Sequence, residues 1–64
     1  MNTQSIIDLS LPYRERLNSA TVDTITTVSL EINTEILNSN DMDHETKMFL
    51  SYYMLGYFMG MKKM

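Results

Sequence analysis

Between Lys47 and Lys62 run fourteen residues without one charged side chain, and this stretch constrains the fold more than any other feature. Laid out as a helix at about 100° per residue, it is apolar on two sides. Met48, Phe49, Tyr52, Leu55, Gly56, Met59 and Gly60 gather on one face. Leu50, Met54, Tyr57 and Met61, spaced four, three and four, gather on the other, with Phe58 beside them. A helix on the surface of a small protein needs only one apolar stripe. A helix with two must be covered from two directions. The sequence marks its ends: Asp41 or Asp43 offers an N-cap oxygen, Glu45 adds negative charge to the first turn, and Lys62 and Lys63 sit in the last. Those charges suit the helix dipole, and the predicted helix spans 42–63.

The segment before it reads in two ways. Leu17, Thr21, Ile25, Val28, Ile32 and Ile36 recur at helical spacing. Val22, Thr24, Thr26, Val28, Leu30, Ile32, Thr34 and Ile36 line up at period two, and β-branched residues favour strands. Length decides, because a strand of about fifteen residues would far exceed the usual five or six. The reading is therefore one helix over 11–38, with Pro12 in its first turn; a restart near Asn18 and Ser19, both good caps, would shorten it. Residues 1–10 form a lead-in. The break at Asn38-Ser39-Asn40-Asp41 is short, so the two helices should return antiparallel.

At 64 residues, such a chain buries only about 60% of its unfolded surface, and a private core of this size supplies roughly 3–5 kcal/mol. There is no cysteine and only one histidine, His44, so disulfides and thiolate zinc sites are excluded. Extra burial then comes from oligomerisation or a partner. The expected fold is all-α: a single small domain over 1–64, an antiparallel two-helix hairpin with a short lead-in, completed by dimerisation into a helical bundle. Residues 1–10 show no basic segment before an apolar run, since Asp8 interrupts Ile6, Ile7, Leu9 and Leu11. With the lack of cysteine, this points to a cytoplasmic protein.

Net charge is −3, with the basic residues at the flanks: Arg14, Arg16, Lys47, Lys62 and Lys63. The middle is acidic, and Asp23, Glu31 and Glu35 define its expected face. This balance disfavours nucleic-acid binding, which needs a cationic surplus; a small DNA-binding regulator using Arg14 and Arg16 is the third-ranked reading. The uncharged stretch would span about 21 Å against a ~30 Å hydrocarbon core, so it does not cross a membrane. Lying on a membrane surface, with tyrosines and lysines at headgroup level, is the second-ranked reading.

Asp41-Met42-Asp43-His44-Glu45 is the one dense run of candidate metal ligands. A calcium loop starting at Asp41 would need glycine and glutamate where Thr46 and Tyr52 stand, so helix capping explains these residues better. No Gly-x-Ser-x-Gly elbow and no phosphate-cradling glycine loop occur. The sequence predicts no enzyme, no cofactor and no metal.

Protein binding is the first-ranked reading. Six of the seven methionines lie at or beyond Met42, and Tyr52, Tyr53 and Tyr57 join them; both residue types suit adaptable interfaces. Gly56-x-x-x-Gly60 would admit a close neighbouring backbone, so Phe49, Tyr52, Gly56, Met59 and Gly60 are assigned to packing within the chain. Leu50, Met54, Tyr57, Phe58 and Met61 are left for a protein partner of unknown identity or for a homodimer. A non-catalytic module that self-associates and regulates or inhibits a larger protein is the resulting expectation, on the scale of small phage and mobile-element accessory factors.

Overall fold

The computed structural model describes residues 3–63. They form three helices: α1 (Thr3–Ser19), α2 (Ile25–Leu37) and α3 (His44–Lys62). All three are in mutual contact, and α3 meets both α1 and α2 more extensively than those two meet each other. The all-α expectation holds, but the element count changes. The lead-in assigned to 1–10 is largely the first half of α1; Met1 and Asn2 lie outside the described residues. The single helix expected over 11–38 is two helices separated at residues 20–24.

Local chemistry explains that break. Threonine side chains offer the backbone alternatives to the helical ladder. Here the Thr21 and Thr24 hydroxyls lie 2.9 Å apart. The Thr24 hydroxyl also donates to the Thr21 carbonyl at 3.2 Å, and the Thr24 amide donates to the same oxygen at 3.1 Å. Val22 is 90% exposed, so this segment gains nothing from staying on an apolar stripe. Asn18 and Ser19 do not cap a new helix; they end α1, and α2 begins after Thr24 without a side-chain cap.

α1 is held by a stripe that its polar member disguises. Ile6, Ser10 and Leu17 are buried and Tyr13 packs against the core, a spacing of four, three and four. Pro12 lies inside this helix rather than in its first turn, where its missing N–H deprives the Asp8 carbonyl of a helical partner. One turn earlier, the Ser10 hydroxyl donates to the Ile7 carbonyl at 2.6 Å. Arg14 then donates through Nε to the Ser10 oxygen at 2.9 Å and through Nη2 to the Ile7 carbonyl at 3.2 Å. These bonds keep the polar atoms of a fully buried serine satisfied.

The core consists of Ile6, Leu17, Ile32, Ile36, Leu50 and Met54, so every helix contributes two residues. Around it, each pair of helices shares a polar contact. Ser51 donates to Asn33 at 3.0 Å between α3 and α2, and the Tyr57 hydroxyl donates to Asn18 at 2.8 Å between α3 and α1. Arg16 and Glu35 form an ion pair at 2.8 Å between α1 and α2; both are substantially exposed, so it adds about 0–1 kcal/mol. The α2–α3 connection is anchored by Lys47, whose Nζ donates to the Leu37 carbonyl at 3.4 Å. No buried side-chain nitrogen or oxygen among the described residues lacks a partner.

Because the core is so small, single truncations weigh heavily. Leu50→Ala should cost about 2–5 kcal/mol, comparable to the whole stability available to a chain this size. Chemical denaturation followed by circular dichroism should show no cooperative transition for it, while Leu30→Ala, on the solvent side of α2, should leave the midpoint nearly unchanged.

Candidate protein-binding face

α3 begins at a well-formed cap. Asp43 accepts a hydrogen bond from the Thr46 amide at 2.8 Å in an extended N-cap conformation, and Glu45 and Lys62 complement the dipole at the two ends. The Thr46 hydroxyl and amide hold the Asp43 carboxyl below its ordinary value of 3.8. A carboxylate with a lowered native pKa adds stability above its unfolded value and loses it as pH falls through the native one. The cap's contribution is therefore complete at neutral pH and disappears on acidification below about 3.8. Thermal melts should show that part of the acid sensitivity absent in Asp43→Asn.

Once started, α3 turns its faces opposite to the sequence assignment. Leu50 and Met54, expected at a partner interface, are 0% and 1% exposed in the chain's own core. Tyr57, Phe58 and Met61 are half-buried against that core. Conversely, Phe49, Tyr52 and Met59, expected to pack within the chain, are 50%, 63% and 59% exposed. Gly56 and Gly60 admit no neighbouring backbone: a Cβ built on either would meet no atom within 4 Å. Both assignments are corrected. α3 lies against two helices, α1 as well as α2, and filling that wider interface takes the larger side chains of the Leu50 face rather than a glycine-lined groove.

The outer face is thus an apolar strip with nothing from the described chain over it. Phe49, Tyr52, Leu55 and Met59 are exposed along it, with half-buried Met48 at its margin and the two glycines among them. Next to it, an open depression is lined by Asn18, Gly56, Tyr57, Gly60 and Met61. Glu45 and Lys63 are exposed at its two ends. Lys62 is turned aside, its ammonium 5.3 Å from the Phe58 ring centre. The adjacency of Asn18 has no signature in the sequence, because it depends on how α1 docks. Leu55 and Met48 were legible on the wheel but lacked a role there.

The remaining candidates are dispersed. Asp23 lies in the connection between α1 and α2, whereas Glu31 and Glu35 sit on α2, beside a shallow depression lined also by Thr27, Leu30 and Thr34. Glu35 is tied to Arg16. Arg14 and Arg16, on which a DNA-binding reading depends, both have partners within the chain. Among the described residues, no group of three histidine, aspartate or glutamate side chains could hold a metal. No helix of the described residues is long and apolar enough to cross a membrane.

The fold and site define a small all-α protein in which the described residues form three closely packed helices, with a bare apolar face on α3. The chain matches no family model, no curated protein and no solved structure. With open space at Gly56, Gly56→Ala should raise the stability of dilute protein by up to about 1 kcal/mol from helix propensity alone, measured by urea unfolding. A loss would mean that the glycine is needed for packing inside the chain.

Proposed function

We propose that this protein is a non-catalytic binding module that regulates a larger protein by docking the outer face of α3 against it. The observation that carries this reading is the exposed strip of Phe49, Tyr52, Leu55 and Met59. Isolated exposed apolar residues are ordinary on soluble proteins, but a contiguous patch with aromatic and methionine side chains marks an interaction surface. Methionine and tyrosine give that surface adaptable packing and large contact area at modest ordering cost. Acting on a larger protein fits the scale of the chain: its depressions are open and shallow, so binding through a face suits it better than enclosing a substrate.

Protein is favoured over the alternatives by specific contacts. Arg14 is folded back on Ser10 and Ile7, and Arg16 pairs with Glu35, which leaves little cationic surface for a phosphate backbone. The strip has one acidic and one basic end, Glu45 and Lys63, so its charge gives no net attraction to anionic lipid.

Tyr52→Glu tests the reading, since Tyr52 is exposed and its replacement should preserve the helical circular dichroism spectrum. Tagged native protein should retain a protein from its source cells that the variant releases, and neither should sediment with anionic vesicles. Identical capture by both would sink the proposal. Vesicle binding by the native chain that the variant loses would replace it with the membrane-surface reading.

A further inference from the structure

The first occupant of the outer face follows from how its residues are arranged along α3. We infer that it is a second copy of this chain, whose α3 runs antiparallel about a twofold axis passing beside residue 54. The inference rests on the reading of this face as a protein-docking surface: the second copy covers it until the larger partner takes its place.

A helix advances about 100° per residue, which puts Glu45, Tyr52, Gly56 and Lys63 near the centre line of the exposed face. Met48 and Met59 lie to one side of that line, and Phe49 and Gly60 to the other. An antiparallel twofold brings each residue opposite the one at the same lateral position and equal distance beyond the axis. Glu45 then faces Lys63 of the second copy, and Met48 faces its Met59. Phe49 lies over the second copy's Gly60, and Tyr52 over its Gly56. Every pairing occurs twice, as isologous symmetry requires.

The chemistry of these pairs is complementary. The glycines have open space where a Cβ would stand, and with Asn18, Tyr57 and Met61 they line a depression beside the strip. Exposed aromatic rings at Phe49 and Tyr52 supply the bulk that such a depression lacks, in the manner of knobs entering holes. Opposite charges meet at both ends, and the antiparallel dipoles oppose each other favourably. A parallel twofold pair would instead set the centre-line residues against themselves. Glu45 would face Glu45, Lys63 would face Lys63, glycine would face glycine across a gap, and the rings would collide.

The absence of cysteine makes the arrangement directly readable. Two differently tagged full-length chains, Glu45→Cys and Lys63→Cys, are mixed and treated with a short bis-maleimide. The expected product is the mixed crosslink between them, with light scattering giving twice the chain mass for the untreated native protein. Gly56→Leu provides the control for folding: a Cβ at residue 56 meets no atom of the chain's own structure within 4 Å, so its circular dichroism spectrum should persist. In the pairing, that side chain takes the place of the Tyr52 ring, and both crosslink and dimer should be lost. Crosslinks between two Glu45→Cys chains would overturn the antiparallel register. A native protein monomeric at every concentration, or a dimer indifferent to Gly56→Leu, would overturn self-pairing at this face. If the chain proves monomeric while capture of a cellular protein still depends on Tyr52, the docking reading stands and self-pairing alone falls.

Discussion

Everything in this protein leans on the inner face of α3. Leu50 and Met54 are almost completely buried, and they sit where α1 and α2 both come against the same helix. Leu17 from α1 and Ile32 and Ile36 from α2 close around them with almost no exposed area of their own. A chain of this length has little apolar surface to remove from water, so sharing one helix between two others is an economical way to make a core. It gives α3 two neighbours and leaves α1 and α2 a smaller mutual contact. The polar atoms at these boundaries are handled locally: Ser51 finds Asn33, Tyr57 finds Asn18, and Ser10 finds Ile7 and Arg14.

That sharing also creates the bare face. With two helices gathered on one side of α3, nothing from the described chain is left for the other, although the sequence makes it apolar as well. Phe49, Tyr52 and Met59 stand in solvent as a direct result. Glycines in the second half of α3 cost helix propensity, yet they relieve no contact inside the chain. A partner that used the space would offset that cost. The proposed docking role and the antiparallel self-pairing both give that space an occupant, and the charges of Glu45 and Lys63 give it a direction.

Part of this architecture can be read directly from residue order. The cap at Asp43, the dipole charges at Glu45 and Lys62, and the uncharged stretch between two lysines mark α3 without any tertiary information, because capping and charge placement are local effects. The break after Leu37 is legible for the same reason. The two apolar faces of α3 also follow from spacing alone. The α1 stripe is hidden in the sequence because Ser10, a polar residue, fills one of its buried positions, and its hydrogen bonds to Ile7 and Arg14 are what make that burial tolerable. Residues 20–24 looked helical because Thr21 fits the periodic pattern, but in the fold the threonine hydroxyls bond locally instead.

The sequence by itself determined that the chain is helical, where α3 starts and stops, and that α3 has two apolar sides. Only the tertiary structure decided which side goes in. Both sides are apolar enough to be buried, so hydrophobicity does not choose between them; shape does. Two helices packing onto α3 require the volume that Leu50, Met54, Tyr57 and Met61 provide, and the Gly56 and Gly60 side would leave voids there, forfeiting dispersion contacts. That is a property of three helices together, invisible in the order of residues along any one of them.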